Sequence, residues 1–270
     1  MTAGSASPST PPNHRESGIN ATQTTHGDTS ACLRVQGLTR RLRARALVDD
    51  VSLHVGSGEI VGLLGPNGAG KTTSFGMIIG LLPCDAGCIM LGERDLTRMP
   101  PDRRARLGIG YLPQGASVFR ELSVEDNILA LLELRAELDA TARRARLEEL
   151  LHEFHLEHLR RQHGAVLSGG ERRRTEFARA LAMHPRFLLL DEPFAGVDPI
   201  AVQELQQLIR RLGAEGLGVL ITDHNVREML HLCHRSYILS EGRVIASGER
   251  EQILANPQVR SSYLGDAFRE

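Results

Sequence analysis

Ile60-Val61-Gly62-Leu63-Leu64-Gly65-Pro66-Asn67-Gly68-Ala69-Gly70-Lys71-Thr72-Thr73 is the stretch that decides the fold. Its first five residues are apolar or glycine, the composition of a strand buried on both faces. A glycine-rich loop follows, and Thr72 to Leu82 reads as a helix that starts at the loop and stops at Pro83. Strand, glycine loop and helix in that order form the context a phosphate-binding loop requires. Glycines let backbone N–H groups close on a phosphate, and the helix N-terminus adds a field that favours negative charge. In this pattern Lys71 reaches the β- and γ-phosphates of a nucleotide, and the Thr72 hydroxyl can ligate Mg²⁺. Lys71 is also the single lysine among 32 basic residues; all the others are arginine. A compact ammonium suits a cradle of phosphate oxygens where a planar guanidinium does not.

A second candidate site is Phe187-Leu188-Leu189-Leu190-Asp191-Glu192. A buried strand ending in two acids places them at the carboxyl edge of the sheet, where α/β proteins bind ligands. Asp191 suits a Mg²⁺ shell beside a phosphate loop. Glu192 suits a general base acting on water. The third is Leu167-Ser168-Gly169-Gly170-Glu171, ahead of a basic, Ala-rich helix. Ser168 and Glu171 have the spacing of a capping box. The paired glycines expose N–H groups at the positive end of a helix dipole. The chain thus carries two helix N-termini suited to phosphate, and one nucleotide held between them would be clamped.

Bulk properties narrow the class. A formal charge of -1 on 270 residues argues against bulk electrostatic capture of nucleic acid or anionic lipid. No apolar run approaches the roughly 20 residues of a membrane-spanning helix, and no secretory signal is visible. The expectation is a cytosolic protein that touches membrane only through partners. Cys32, Cys84, Cys88 and Cys233 read as reduced thiols, since no second Cys/His pair completes a zinc site with Cys84 and Cys88. His152 and His155 fall three apart on an expected helix, but their neighbours describe an ordinary amphipathic helix.

Residues 1–31 are rich in Ser, Thr, Pro and Asn and read as a disordered extension. From residue 32 to 270 strands alternate with helices: strands near Ile89–Leu91, Ile109–Leu112, Phe187–Leu190 and Val219–Thr222, helices over Thr72–Leu82 and Ala201–Leu212, and a final hairpin around Glu241-Gly242. This order predicts an α/β fold with a mainly parallel sheet covered on both faces. A helix-rich stretch at about 115–166 is inserted into it, and a tail occupies about 249–270.

Taken together, these motifs resemble the nucleotide-binding subunits of ABC transporters. The loop at 65–72 is similar to a Walker A motif, the strand at 187–192 to a Walker B motif, and Leu167–Glu171 to the signature motif. Gln114 in Tyr111-Leu112-Pro113-Gln114 matches the Q-loop, Asp198 in Ala195-Gly196-Val197-Asp198 the D-loop, and His224 in Ile221-Thr222-Asp223-His224 the switch histidine. The resemblance implies a P-loop NTPase core with an antiparallel β subdomain and an inserted helical subdomain. It implies ATP and Mg²⁺ as cofactors, with Gln114 joining Thr72 and Asp191 around the metal. Two copies would stack as a homodimer, each ATP lying between one copy's Lys71 loop and the other's Ser168-Gly169-Gly170 turn.

Longer runs, notably Gly110–Arg120, Asp191–Pro199, Ile221–Glu228 and the ending Tyr263–Phe268, resemble the ATPases of lipopolysaccharide export in Gram-negative bacteria. That resemblance implies a pair of integral membrane subunits as partners, with Phe119 and Arg120 in the groove that grips them. The nearest rival is the ATPase of a branched-chain amino acid importer; Phe194 and Asp223-His224-Asn225 favour the export type. A soluble ABC protein of translation or repair is the reading from another class, and it lacks support in charge and in heptad pattern. Three positions depart from the family pattern. Leu42, between Arg41 and Arg43, stands where an aromatic usually stacks on adenine; Gly76 stands where a larger side chain is expected; and the N-terminal extension has no counterpart.

Overall fold

The computed structural model describes residues 32–43 and 45–264, together with Met1. The expected disordered extension and the end of the Tyr263–Phe268 run lie outside the described residues. In chain order, β1 (Cys32–Leu42) and β2 (Arg45–Gly56) form an antiparallel pair, and β3 (Ile60–Leu64) leads into α1 (Lys71–Ile79). Next come β4 (Ala86–Leu91), β5 (Arg94–Asp95), α2 (Pro101–Arg106) and β6 (Ile109–Leu112). Three helices follow before the next strand: α3 (Val124–Leu132), α4 (Ala140–Glu153) and α5 (Gly169–Ala182). There follow β7 (Phe187–Asp191), α6 (Pro199–Ala214), β8 (Gly218–Thr222), α7 (Val226–Leu232), β9 (Arg235–Ser240), β10 (Arg243–Gly248) and α8 (Arg250–Ala255), with short helical turns after it over 257–264.

Two sheets result. A six-stranded sheet has the order β10-β9-β3-β8-β7-β6, parallel except where β10 returns against β9. A four-stranded antiparallel sheet has the order β2-β1-β4-β5. The alternation of side chains along a strand explains the layering. Ile60, Leu64, Leu188, Leu190, Val219 and Ile221 face one core, shared with α3, α4, α5 and α6. Val61, Leu63, Phe187, Leu189 and Leu220 face the other, shared with α1 and the antiparallel sheet. Each fully buried Leu or Ile contributes about 1.5–3 kcal/mol, so the sheet is held from both sides.

Some boundaries differ from expectation for identifiable reasons. The helix after the glycine loop ends at Ile79 rather than Leu82, because Gly80 turns left-handed (φ 87°) and its N–H bonds Met77 O at 3.1 Å. Gly76 has its own explanation: a Cβ there would meet the Leu82 side chain at 2.9 Å, so Leu82 fills the space a larger residue would claim. His152 and His155 do not share a helix face. α4 stops at Glu153, His155 is left-handed (φ 52°), and His152 bonds Glu157 at 2.7 Å.

Candidate nucleotide site

The loop between β3 and α1 is shaped by two glycines that no other residue could replace without strain. Gly65 sits at φ 150°, where a Cβ would lie 2.1 Å from Leu239 O, and Gly70 at φ 106°, 2.6 Å from Leu47 O. Between them Pro66 is half-buried, Asn67 and Gly68 are exposed, and Ala69 is buried. Lys71 opens α1 and is 6% exposed. Its ammonium donates to Gly65 O at 2.7 Å and Pro66 O at 3.0 Å. Burial pulls its pKa below the usual lysine value, opposed by the charges of Glu192 and Asp191. Thr72 and Thr73 follow on the first turn.

β7 delivers the acids to the same edge. Asp191 is 1% exposed. It accepts from the Tyr111 hydroxyl at 3.4 Å and from the Thr72 side chain. Its Oδ1 has no partner among the described residues, and neither has Oγ1 of Thr222, the residue beside it on β8. Burial raises the Asp191 pKa above the ordinary carboxylate range, with the Glu192 charge adding to the effect. Burial, reinforced by Asp191, pushes the Tyr111 phenol up to about 12. A buried carboxylate oxygen without a donor, next to a threonine hydroxyl, fits a hard cation that takes few protein ligands and completes its shell with phosphate and water.

Glu192 leaves the strand in a left-handed conformation (φ 48°), its N–H held by Thr222 O at 2.9 Å. Strain of this kind persists only where the surroundings enforce it. The turn aims the carboxylate at two donors: Oε2 accepts from Gln114 Nε2 at 2.5 Å and from His224 Nε2 at 2.8 Å. The side chain of Glu192 is 8% exposed against 52% for His224, so one is enclosed and the other open to solvent. Gln114 thus touches Glu192 directly, while Asp191 bonds Thr72 and Tyr111.

The remaining predicted residues form a separate cluster. Ser168 caps α5, Glu171 completes the reciprocal capping box, and the Ser168 N–H donates to the Glu171 carboxylate at 2.8 Å. Gly169 lies against Gly196 O, Gly170 against Asp198 and Ala201, and Asp198 caps α6 by accepting from Ala201 N at 3.0 Å. Sequence reasoning gave no role to Arg173 and Glu176, which join the clusters. Arg173 donates to Pro113 O (3.0 Å) and Pro193 O (2.9 Å) and pairs with Glu176 at 2.9 Å; Glu176 in turn accepts from Ser117 N at 2.6 Å. Their one signal was an Arg and a Glu three apart on a helix. Tyr111, Thr222 and Tyr263, whose side chain bonds the backbone of Gly65, were missed as well.

Three further features belong to the surface. A groove of about 300 Å³ is lined by Leu81, Ala105, Tyr111, Leu131, Arg179 and Met183. Nearby, Phe119 is half exposed with the Arg179 guanidinium 4.4 Å over its ring. Leu42 is 59% exposed at the end of β1.

A family model described as ABC transporter matches residues 48–195, and one described as branched-chain amino acid ATP-binding cassette transporter matches only residues 243–269. The chain belongs to the ABC transporter family, and it is an ATPase with the P-loop fold of that family's cassettes. It is 56% identical, over 88% of its length and 99% of the relative's, to the lipopolysaccharide export system ATP-binding protein LptB of Escherichia coli K12. The protein of the same description from Acidithiobacillus ferridurans is 57% identical, over 89% of this chain and 99% of that one. An uncharacterised ABC transporter ATP-binding protein of Rhizobium meliloti is 58% identical over 86% of each chain. Among solved structures, an ATP-binding cassette of an ABC transporter in its ADP conformation superposes with a TM-score of 0.77 at 27% identity, covering 87% of this chain and 99% of that one.

Proposed function

We propose that the chain is the ATP-hydrolysing motor subunit of a transporter that extracts lipopolysaccharide from the inner membrane for export to the outer membrane. The observation that carries the proposal is the 56% identity to LptB spread over nearly the whole of both chains. The importer reading has only the match at 243–269 behind it. No helix among the described residues is long and apolar enough to cross a membrane, so cargo handling falls to other subunits. The partners are two integral membrane subunits, seated in the groove beside Phe119 and Arg120, with the cassette on the cytoplasmic face and no nucleic acid involved.

The residues take the following roles. Backbone N–H groups of 67–72 enclose the β-phosphate, and Lys71 turns from its two carbonyls toward the β- and γ-phosphates. Thr72, Asp191 and Gln114 would hold Mg²⁺, which supplies charge neutralisation for the departing phosphate. Glu192 accepts a proton from the attacking water while His224, already hydrogen-bonded to it, fixes its carboxylate. Engaging ATP requires Gln114 to leave Glu192 Oε2, so closure of the site and release of the base are one movement. Ser168, Gly169, Gly170 and Glu171 of a second copy close the nucleotide from the other side, with Asp198 at that seam, making the working unit a homodimer. ATP binding closes the dimer and hydrolysis reopens it.

Affinity purification of the tagged chain from detergent-solubilised membranes tests the cargo assignment. Two membrane subunits of lipopolysaccharide export are expected to co-elute, with ATPase activity. Recovery of amino acid permeases, or of ribosomes, overturns it.

A further inference from the structure

Arg104 is 2% exposed, yet its hydrogen bonds all go to backbone carbonyls and none to a carboxylate among the described residues. Nη1 donates to Met77 O and Ile78 O, both at 2.7 Å. Nε donates to Met99 O at 2.8 Å, and Nη2 to Thr97 O at 3.0 Å. Met77 and Ile78 belong to the last turn of α1, whose carbonyls form the negative end of the helix dipole. Met99 and Thr97 belong to the connection that leads from β5 into α2. A buried guanidinium is costly unless its donors are met, and here that requirement is satisfied only while α1 and α2 keep one relative position.

The same residue sits between two functional surfaces. α2 presents Pro101 and Ala105 to the groove that also holds Leu81, immediately after α1. α1 begins at Lys71 and Thr72. Nine helical residues make a rod of about 13 Å, stiff enough to carry a displacement from one end to the other. Gly80 is shaped for the contact: a Cβ there would come within 2.9 Å of Arg104 Nε.

We propose that Arg104 is a positioning residue that couples the groove to the phosphate-binding helix. A membrane subunit pressing on α2 then moves the carbonyl end of α1 through the guanidinium, and the Lys71 end with it. The coupling is reciprocal: nucleotide at Lys71 alters how α2 presents the groove. This inference rests on the reading of the Lys71 loop as the phosphate site and of the groove as the membrane subunits' seat.

The test compares nucleotide affinity of the full chain alone and assembled with its two membrane subunits, for wild type and Arg104→Lys. Lysine keeps the charge but cannot reach both the α1 carbonyls and those of the connection before α2 from one nitrogen. In wild type, assembly is expected to change the Kd for ATP by about fivefold or more, the lower end of ordinary allosteric coupling. In Arg104→Lys the two Kd values are expected to agree within about twofold, with ATP still bound by the cassette alone. A variant that merely melts lower but keeps the wild-type ratio overturns the proposal, as does a wild-type ratio of one. If Arg104→Lys fails to fold, Gly80→Ala displaces the guanidinium by its added methyl, and the same ratio is read. Lys71→Ala serves as the separating control: nucleotide affinity equal to wild type there refutes the phosphate-site reading itself, whatever Arg104 does.

Discussion

Replacing Asp191 by Asn should make the protein more stable and less active. Asp191 is 1% exposed, and one of its oxygens has no donor among the described residues. Leaving a buried polar group unsatisfied costs about 1–3 kcal/mol. The amide is isosteric and neutral, so no charge is buried, and its NH2 is a donor beside the unpartnered Thr222 hydroxyl, which together relieve that cost. Against this, the bonds from Tyr111 and Thr72 lose their charge-assisted part, about 0.5–1.5 kcal/mol together. The balance is a gain of about 1 kcal/mol, or roughly 2–4 °C in melting temperature for a domain of this size. The pH dependence carries a sign. The folded-state pKa of Asp191 is raised, so the folded protein binds the proton more tightly than the unfolded chain. Its destabilising effect is absent below the unfolded value of about 3.9 and develops as pH rises toward the folded value. The advantage of the Asn variant should therefore vanish near pH 4 and grow as pH rises above it. Thermal melts in chelator without nucleotide measure this, and Mg²⁺-dependent ATP turnover should fall by about 10²-fold or more, as for loss of one group that stabilises developing charge. A variant that melts below wild type at pH 7, or turns ATP over within tenfold of it, refutes the reasoning.

Other substitutions probe the remaining parts. Glu192→Gln should bind ATP but hydrolyse it about 10²–10⁴-fold more slowly, raising the barrier by about 3–5 kcal/mol, and accumulate an ATP-bound dimer on size-exclusion chromatography; turnover within tenfold of wild type removes Glu192 from the role of base. Lys71→Ala should lose nucleotide binding together with turnover, read by equilibrium titration with a fluorescent ATP analogue. Gly65→Ala sets a methyl 2.1 Å from Leu239 O at a left-handed φ, so it should cost about 2–5 kcal/mol in denaturant unfolding.

Legibility in the sequence followed the range of the interactions involved. The strands at 60–64, 109–112 and 187–191 were readable within a residue, because burial on both faces writes itself as an unbroken apolar run. The capping box at Ser168 and Glu171 is local and was equally plain. The antiparallel sheet was legible through the family resemblance and the strand at Ile89–Leu91, but not its pairing: β1 pairs β2 and β4 with several register shifts, which no local pattern records. The roles of Arg104, Arg173 and Tyr263 depend on carbonyls and backbone groups brought near by tertiary folding, which no residue pattern records. The Thr72–Leu82 expectation overshot because a left-handed Gly80 ends a helix more firmly than Pro83 beyond it.

The strand order also sets when a newly made chain becomes competent. β3 carries the phosphate loop, yet both of its neighbours are late in the sequence: Ile60 pairs with Val219, and Val61 with Arg235. The loop itself is closed by Leu239 O against Gly65 and by Gly242 N donating to Ala69 O at 3.0 Å. During synthesis the nucleotide site therefore cannot assemble until the ribosome has passed the final hairpin. A chain that ends between His224 and Gly242 contains all the nucleotide-site motifs and still lacks part of this scaffold. Such a fragment is therefore expected to bind ATP more weakly than the full chain, a difference that equilibrium titration with a fluorescent ATP analogue would read.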